Sequence, residues 1–450
     1  MPKPLHMSET FEELIHHVRL DNEYRNNSIS LVASENQPSP AVRAAEMALA
    51  GSCYSFSPPF KSEDSEWYFP SNPGLDSLQR RLSDTLNRTF HVKWADPRPN
   101  GGSPCEHAVA LGLLRRGDTL FHMAHESGGH FALEPICEDA GIRISHVAFD
   151  PRTLQIDPDA TAARVNGDPK AKLVMIDLSF LLRQQPIQAL RSLLNEDVLL
   201  AVDISHPMGL VLGGVYQQPA LEGADIVHGN THKTFFGPQK GWVGFFPKSP
   251  RINLETVVKP ICNKICPQLQ SNCSTGSMLA MLIALEEALE FGHSYARQVV
   301  ANARALARYC QSYGLTVIGE SFGFTETHQV WLRIGQPEAT LKLVRNRLNP
   351  AGVRTNNIAL PGEKGAHGLR LGTNVLTRRG YKENDMEVVA AILKRVILGK
   401  EPTSKLREDV VEFLRPHPLS QLSYTLDSER HRALIREFAA ATDLMGDIVS

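Results

Sequence analysis

The first apolar pattern in the chain predicts an amphipathic helix close to the N-terminus. Within residues 8–25, the apolar residues Phe11, Leu14, Ile15 and Val18 recur at helical spacing behind a Ser-x-x-Phe start. A helix with one apolar face needs a surface that covers this face. We therefore expect these residues to form an arm that packs on a partner surface.

From about Leu78 onward, short apolar runs alternate with helical patterns. The runs at 172–177, 198–204 and 224–228 have the length of strands and are rich in Val, Ile and Leu. Such strands are buried on both faces, which is typical of a mainly parallel sheet covered by helices. The pattern therefore predicts an α/β fold.

The pattern changes after a long helix that we predict over residues 277–314. Beyond it, the segments 329–334 and 368–371 are typical of strands and 386–398 is typical of a helix. No internal repeat or long Gly/Ser linker is present, so we expect tightly joined domains. The predicted units are an N-terminal helical arm at 1–45, a large domain at 46–290 and a smaller α+β C-terminal domain at 291–450.

Length and charge narrow the possible classes of function. A chain of 450 residues is long enough to bury a sizeable pocket. Its hydrophobic share of 42%, its charged share of 21% and its formal net charge of -2 are ordinary, and they give no field that would attract nucleic acid or anionic lipid. Partners must therefore be inferred from local sites.

The cysteines and the apolar runs bear on the compartment. Seven cysteines are an odd number, and no basic-then-apolar signal segment stands at the N-terminus, so we expect a cytoplasmic location without structural disulfides. The most apolar stretch, 279–289, contains Glu286 and Glu287 and is shorter than the ~20 residues that cross a membrane. We expect no membrane span.

The densest polar cluster in an apolar setting contains Lys233. An arbitrary loop lysine is usually exposed. Lys233 differs because it follows the strand predicted at 224–228, while the neighbouring strand at 198–204 leads into Asp203 and His206. Parallel strands bring such side chains to one edge of the sheet, where ligands bind. A carboxylate there could keep a pyridine nitrogen protonated while a nearby lysine forms an imine.

Three further motifs complete a candidate pocket. The turn Gly-Gly-Ser at 101–103 precedes a helix predicted at 106–114 and suits a phosphate, although such a turn alone is usually a plain loop. His130 follows two glycines, and Arg370 stands in a Leu-Arg-Leu-Gly run, where its planar guanidinium suits a substrate carboxylate. Taken singly, His130 is more typical of a loop histidine and Arg370 of an exposed strand residue.

Several motifs in one order resemble those of the serine hydroxymethyltransferases. The order and spacing hold over most of the chain, and the set is far more specific than any one motif. The resemblance implies the fold type I architecture of pyridoxal 5'-phosphate (PLP) enzymes and a homodimer with shared active sites. The motifs are Leu-Val-Ala-Ser-Glu-Asn at 31–36, Gly-Gly-Ser at 101–103, Gly-Gly-His at 128–130, Asp-Ile-Ser-His at 203–206, Thr-His-Lys-Thr at 231–234, and Arg370 with Thr-Arg-Arg-Gly at 377–380.

The resemblance also implies a role for individual residues. Lys233 would carry PLP as a Schiff base, Asp203 would hold the pyridinium nitrogen and His130 would stack on the ring. Arg370 would bind the amino-acid carboxylate. The other implied cofactor residues are Gly101, Gly102, Ser103, Ser179, His206, Thr231 and His232, and the other implied substrate residues are Ser34 and Tyr54.

Two stretches depart from the hydroxymethyltransferase pattern. After the position of Tyr54 that pattern has Ala-Glu-Gly-Tyr-Pro, whereas this chain has Ser-Phe-Ser-Pro-Pro at 55–59 and so lacks the family's catalytic glutamate. The Tyr-Tyr-Gly-Gly segment is likewise replaced by Tyr-Phe-Pro-Ser at 68–71. Without that acid, a folate-dependent transfer loses its proton handler. The replaced stretches are similar to the L-threonine transaldolases, a branch of the same family that makes β-hydroxy-α-amino acids in natural-product pathways.

That branch implies a reaction between L-threonine and an aldehyde acceptor. L-Threonine would lose acetaldehyde, and the remaining glycyl carbanion would add to a second aldehyde to give a new β-hydroxy-α-amino acid. His130, His232 and Glu106 are candidates for moving the hydroxyl proton, and the sequence does not rank them. The rivals are a serine hydroxymethyltransferase, an L-threonine aldolase and a catalytically silent protein of the same fold. Retention of the lysine, aspartate and arginine favours an enzyme.

We expect no metal site. Cys262, Cys266 and Cys273 lie close together in sequence, but their spacing matches no paired Cys-x-x-Cys pattern and an obvious fourth ligand is missing. We therefore interpret these cysteines as structural.

Overall fold

The computed structural model describes residues 7–47, 53–54, 57–60 and 73–441. Its helices are α1 Met7–Asn26, α2 Pro40–Glu46, α3 Pro73–Thr89, α4 Gly102–Leu113, α5 Leu133–Asp139, α6 Pro158–Asn166, α7 Ile187–Leu193, α8 Met208–Leu212, α9 Lys259–Asn263, α10 Thr275–Ser312, α11 Pro337–Leu343, α12 Asn374–Arg378, α13 Asp385–Leu398, α14 Thr403–Leu414 and α15 Ser428–Ala441. Its strands are β1 Ile29–Ser30, β2 Lys93–Asp96, β3 Thr119–His122, β4 Arg143–His146, β5 Phe149–Asp150, β6 Gln155–Ile156, β7 Ala171–Ile176, β8 Leu199–Asp203, β9 Ile226–Asn230, β10 Gly241–Phe245, β11 Gln329–Gly335, β12 Val353–Arg354, β13 Asn356–Ala359 and β14 His367–Gly372.

A seven-stranded sheet forms the centre of the large domain, in the order β2-β10-β9-β8-β7-β3-β4. The strands from β9 to β4 in this order pair in parallel, and β10 pairs antiparallel with β9 and β2. Alternate residues of β7 enter two different hydrophobic cores, Val174 and Ile176 on one face and Leu173 and Met175 on the other. Because both faces are covered, the strands are apolar throughout. The predicted mainly parallel α/β fold is confirmed.

The C-terminal domain has an antiparallel sheet in the order β11-β14-β13. In the central strand β14, Arg370 pairs with Trp331 of β11 and with Asn356 of β13. β1 pairs in parallel with β12, so the chain just after α1 joins this domain. The antiparallel sheet thus places Arg370 in the middle of a rigid framework.

Helix α10 connects the two cores. It is continuous over 38 residues, so the boundary predicted after residue 290 falls inside it. Its side chains up to Val300 pack in the core of the large sheet, and those from Ala303 pack in the C-terminal core. Within the described ranges, no helix is long and apolar enough to cross a membrane.

Candidate active site

Polar side chains gather at the carboxyl edge of the large sheet. β8 ends at Asp203 and β9 ends at Asn230, while Asp177 follows β7 directly. Since these strands are parallel neighbours, their ends meet at one edge. A cavity of about 310 Å³ lies there. The predicted residues that line it are Gly101, Gly102, Ser103, Glu106, His130, Ser179, Asp203, His206, His232 and Lys233.

A second cavity of about 410 Å³ adjoins the first. It takes Arg370 and the strand residues Asn356–Ala359 from the C-terminal domain and Ser34 from the N-terminal segment. The two cavities share the lining residues His130, Ser179, His206 and Lys233. They are therefore two ends of one cleft between the domains.

The N-terminus of α4 forms one wall of the first cavity. The helix begins at Gly102, so the predicted start at residue 106 is wrong. A Cβ atom on Gly102 would lie 3.2 Å from Asn230 Nδ2 and 3.3 Å from Ser205 Oγ, so a larger residue would crowd this wall. The first N–H groups of a helix have no intrahelical partner and carry partial positive charge. This wall therefore suits an anionic group such as a phosphate.

Asp203 is fixed at the end of β8 by its own turn. Its Oδ1 accepts a hydrogen bond from the Ser205 backbone N–H at 2.5 Å, and its Oδ2 accepts one from the Ser205 hydroxyl at 3.0 Å. The buried His228 Nδ1 lies 3.5 Å from the same Oδ2. A carboxylate held in this way offers an oriented acceptor to a protonated ring nitrogen.

Lys233 reaches into both cavities. Its backbone oxygen accepts hydrogen bonds from Asn36 Nδ2 at 2.7 Å and from Asn374 Nδ2 at 3.5 Å, whereas Nζ has no hydrogen-bond partner among the described residues. Burial lowers the pKa of Lys233 to about 8, although Asp203 opposes this shift. An amine with this pKa is neutral, and therefore nucleophilic, in a substantial fraction of molecules near neutral pH.

Glu106 and His130 form a hydrogen-bonded pair above the cavity. Glu106 Oε2 lies 2.9 Å from His130 Nδ1. Burial raises the pKa of Glu106 to about 7, while His130 opposes this shift. Burial disfavours the charged His130, but the hydrogen bond to Glu106 and the negative charges of Glu106 and Asp203 together outweigh burial and raise the pKa of the imidazole. The pair can therefore take up or release a proton near neutral pH.

Arg370 is buried at the opposite end of the cleft. Nη1 donates to the Ser179 carbonyl and Nη2 to Asn356 Oδ1, both at 3.0 Å. Its guanidinium carbon lies 4.9 Å from the centre of the Phe180 ring, and its buried Nε has no hydrogen-bond partner among the residues that the structure describes. Burial lowers the pKa of Arg370 to about 10. Within the described part of the chain no carboxylate pairs with this cation, which is the condition of a site that awaits an anionic ligand.

Sequence analysis missed the residues that lie behind His206. His206 Nδ1 is 3.3 Å from His328 Nε2 and 3.2 Å from Gln329 Nε2, and Gln329 also donates to the Ser179 carbonyl. Burial, reinforced by Lys233 and Arg370, holds the pKa of His206 well below its usual value. The only sequence signal for this support was the run Thr-His-Gln-Val at 327–330.

Some predicted residues have other surroundings. The Thr231 hydroxyl donates to the Pro238 carbonyl at 2.5 Å and does not line the cavity, so it closes the loop around Lys233. Tyr54 is exposed and lines neither cavity. The buried Nδ1 of His232 has no hydrogen-bond partner in the described segments, and burial lowers the pKa of His232 to about 4. Phe56 and the replaced stretch 68–71 lie outside the described residues.

Comparison with known proteins agrees with this geometry. Residues 7–393 match the family model described as serine hydroxymethyltransferase. A protein of that name from Archaeoglobus fulgidus is 31% identical to the chain, and the match covers 90% of this chain and 90% of that protein. Another from Korarchaeum cryptofilum is 32% identical, and the match covers 89% of this chain and 92% of that protein. A crystal structure of L-threonine transaldolase from Pseudomonas fluorescens in the internal aldimine state is 39% identical, with a TM-score of 0.92, and the match covers 97% of this chain and 98% of that one. The chain belongs to the serine hydroxymethyltransferase family and is a PLP-dependent transferase of fold type I.

Proposed function

We propose that this protein is an L-threonine transaldolase, which cleaves L-threonine to acetaldehyde and transfers the glycine unit to a second aldehyde. The observation that carries the proposal is the similarity to the Pseudomonas fluorescens transaldolase, at 39% identity over 97% of the chain. The relatives named serine hydroxymethyltransferase are 31% or 32% identical over a slightly smaller share. The product would be a β-hydroxy-α-amino acid.

The cavity fits PLP by the chemistry of its walls. The N-terminus of α4 suits the phosphate, and the fixed carboxylate of Asp203 suits the ring nitrogen. The Lys233 amine is the group that would hold the cofactor covalently, and His130 would lie against the ring. Two further buried polar atoms of the cavity residues, Asn230 Oδ1 and His232 Nδ1, have no hydrogen-bond partner within the described ranges. Each of these features agrees with a polar, anionic cofactor.

The substrate would lie between the two ends of the cleft. When bound, PLP supplies an electron sink that stabilises negative charge at the amino-acid Cα. Arg370 would bind the threonine carboxylate through its planar guanidinium, and Ser34, in the same cavity, would lie near it. Because Ser179 and Asn356 hold the Nη atoms of Arg370, the cation is oriented before substrate arrives.

The Glu106–His130 pair is the best candidate for moving the hydroxyl proton of threonine. Glu106 has a pKa of about 7 and shares a hydrogen bond with His130, so the pair can act as a base near neutral pH. His232 is a weaker base because burial lowers its pKa to about 4. Of the three candidates, we assign the step to the pair.

The runner-up is folate-dependent serine hydroxymethyltransferase activity. The names of the curated relatives favour it. Against it stands the sequence at 55–59, where Phe56 and Ser57 replace the acid of the folate enzymes. An L-threonine aldolase differs from a transaldolase only in the final partner of the glycine unit, since a proton replaces the second aldehyde.

We further propose a cytoplasmic homodimer with shared active sites. Helix α1 leaves Phe11, Leu14, Ile15 and Val18 exposed, each by about half of its surface or more. A stripe of this kind needs a cover, and a second copy of the chain would supply it. The buried free thiols, such as Cys105 and Cys310, agree with a reducing compartment. The substrate role of Tyr54 stays a prediction.

One product assay separates these activities. The enzyme is incubated with L-threonine, with and without an aromatic aldehyde, and acetaldehyde, glycine and the β-hydroxy adduct are quantified. A parallel reaction contains L-serine and tetrahydrofolate. We expect the adduct to exceed glycine when the aldehyde is present, and folate to have no effect. Efficient folate-dependent serine cleavage with no adduct would restore the hydroxymethyltransferase, and glycine alone would indicate an aldolase.

A further inference from the structure

A second polar cluster lies at the same edge of the sheet, two strands away from Asp203. β3 ends at His122, its neighbour β4 ends at His146, and α5 carries Glu134 between them in sequence. Glu134 Oε1 lies 3.2 Å from His122 Nε2 and 3.2 Å from His146 Nε2. One ligand atom from each residue lies within 4.8 Å of the other two. None of the three residues lines the cofactor cavity.

These separations suit ligands of a single metal ion. With metal–ligand bonds of about 2.1 Å, neighbouring ligand atoms in tetrahedral or octahedral geometry stand roughly 3.0 to 3.4 Å apart. Both distances to Glu134 fall in this range. Two imidazoles and one carboxylate are also a donor set that proteins use for zinc and related ions, with open positions left for water.

The surroundings of the two His122 ring nitrogens favour a bound cation. Its side chain is 0% exposed, and its buried Nε2 has no hydrogen-bond partner in the part of the chain that the structure describes. On the other side of the ring, Nδ1 lies 3.4 Å from Asp177 Oδ2. This contact favours the tautomer with the proton on Nδ1, which leaves a lone pair on Nε2 that faces the Glu134 carboxylate. Two facing acceptors repel each other unless a cation stands between them.

Asp177 supplies the outer contact that metal-binding histidines usually have. A metal-ligating histidine commonly donates its remaining N–H to a carboxylate, which fixes the ring and raises its basicity. Asp177 is itself buried and oriented by the Met123 backbone N–H, which donates to Oδ1 at 3.0 Å. Together Glu134 and Asp177 provide two negative charges beside a divalent cation.

The cluster is open to solvent on one side. The side chains of Glu134 and His146 are 35% and 42% exposed, so an ion can enter and water can complete its coordination. We propose that His122, Glu134 and His146 bind a divalent first-row transition ion such as Zn²⁺. None of the three ligands lines the cofactor cavity, so the proposal does not depend on the substrate of the enzyme.

The ion would also be connected to the cofactor cavity. Asp177 lines that cavity and accepts a hydrogen bond from the His130 backbone N–H through Oδ2 at 3.3 Å. The same Oδ2 faces His122. Metal binding would therefore fix Asp177 and, through it, the start of the segment that carries His130. We assign Asp177 the role of a positioning residue between the two sites.

The rival explanation is a proton in place of the metal. Although burial opposes it, the hydrogen bond to Asp177 raises the pKa of His122, and a protonated imidazole would relieve the repulsion from Glu134. His146 Nε2 can likewise donate to Glu134. In that case the cluster would be an ion pair with no metal affinity.

Zinc titration of the untagged holoenzyme, freed of excess PLP, tests the proposal. We expect one Zn²⁺ per chain by calorimetry, and visible d–d absorption from bound Co²⁺. Glu134→Gln and His146→Gln should each weaken binding by at least ~100-fold, since each removes a ligand. His17→Gln is the matched control, because His17 is an exposed histidine beside a single carboxylate, Glu13. It should bind like the wild type.

The possible results distinguish a metal site from a protonated ion pair without metal affinity. Saturable 1:1 binding that is lost in both ligand variants, while their PLP absorption and thermal midpoint are retained, supports the site. Absence of saturable binding in the wild type would overturn it in favour of the ion pair. Binding that survives in both variants would also overturn it, since the ion would then be held elsewhere, for example by PLP.

Discussion

Two lysines that lie close together in the chain have similarly lowered pKa values but different surroundings, since Lys240 is buried and Lys233 is half-buried at the cleft. Burial lowers the pKa of both Lys233 and Lys240 to about 8. Lys240 Nζ donates to the Arg98 carbonyl at 2.8 Å, to Asn100 Oδ1 at 2.9 Å and to the Cys273 carbonyl. Lys233 Nζ has no such acceptor among the described residues and faces the cleft. Burial alone therefore does not distinguish the lysine that we propose to be reactive from the structural one.

The same contrast separates two buried arginines. Arg98 forms two hydrogen bonds with Asp96, from Nε at 2.8 Å and from Nη2 at 2.6 Å. Although burial opposes its charge, this carboxylate raises the pKa of Arg98. Arg370 has no carboxylate partner in the described ranges, and its pKa is lowered. Charges that have partners within the protein hold the loop structure, and we propose that the charges without such partners, on Lys233 and Arg370, mark the positions of cofactor and substrate.

The largest expected effect comes from replacing Lys233 by an apolar residue of similar length. Lys233→Met should abolish the covalent link to PLP and lower turnover by more than ~1,000-fold, because the nucleophilic amine is gone. It should leave the stability of the cofactor-free protein nearly unchanged, since no protein acceptor loses its donor. Absorption spectra, turnover and thermal midpoints measure the three quantities. A Lys233→Met enzyme with normal turnover would remove Lys233 from the chemistry.

Glu106→Gln tests, through the pH dependence of turnover, whether the Glu106–His130 pair moves the proton. In the wild type, threonine cleavage should increase as pH rises through about 7, because the Glu106–His130 pair then loses its shared proton and acts as the base. The variant should lose this pH dependence, and its turnover should be ~100-fold slower than that of the wild type. Glu138→Gln, on the exposed side of α5, is the control. An unchanged pH profile in Glu106→Gln would assign the proton to another group.

Arg370→Ala tests the substrate end of the cleft. Losing a buried charge-assisted contact should cost about 2 to 5 kcal/mol of threonine binding, which is at least ~30-fold in affinity. PLP should remain bound. Arg333→Ala, an exposed arginine on the neighbouring strand β11, should leave threonine saturation unchanged. Equal saturation curves for the two variants would contradict the role of Arg370.

Lys240→Met should have the smallest effect on chemistry. The folded fraction should keep its PLP link and turnover. The buried Cys273 carbonyl would lose a charged donor, whereas the Arg98 carbonyl would keep its hydrogen bond from Gln270 Nε2 and Asn100 is exposed to solvent. A hydrogen bond to a charged group contributes about 1.5 to 3 kcal/mol. We expect a loss of about 1.5 to 3 kcal/mol in unfolding free energy, measured by denaturant titration. A stable but inactive Lys240→Met protein would reverse the assignment of the two lysines.

Each residue that could be predicted from the sequence either lies at the end of a strand or belongs to a recognisable motif. Asp203 and Lys233 follow apolar strands, and the parallel topology brings such ends together. The start of α4 was misplaced because two glycines and a proline have low helix propensity, yet the first helical turn tolerates them. Family motifs then identified residues that periodicity could not.

Contacts between distant elements could not be predicted. His328 meets His206 only because the C-terminal domain packs on the large sheet, and no spacing encodes that approach. The cluster of His122, Glu134 and His146 likewise combines two strand ends and a helix, and no short metal motif links them. The prediction of no metal site rested on the spacing of residues along the sequence. Such spacing does not show which side chains from distant elements come together in the fold.

The most direct test of the central claim asks which lysine holds the cofactor. The holoenzyme is reduced with borohydride and digested, and the pyridoxyl-modified peptide is identified by mass spectrometry. We predict the modification on Lys233 and none on Lys240, although burial lowers the pKa of both amines to about 8. Modification of Lys240, or of any lysine other than Lys233, would contradict it.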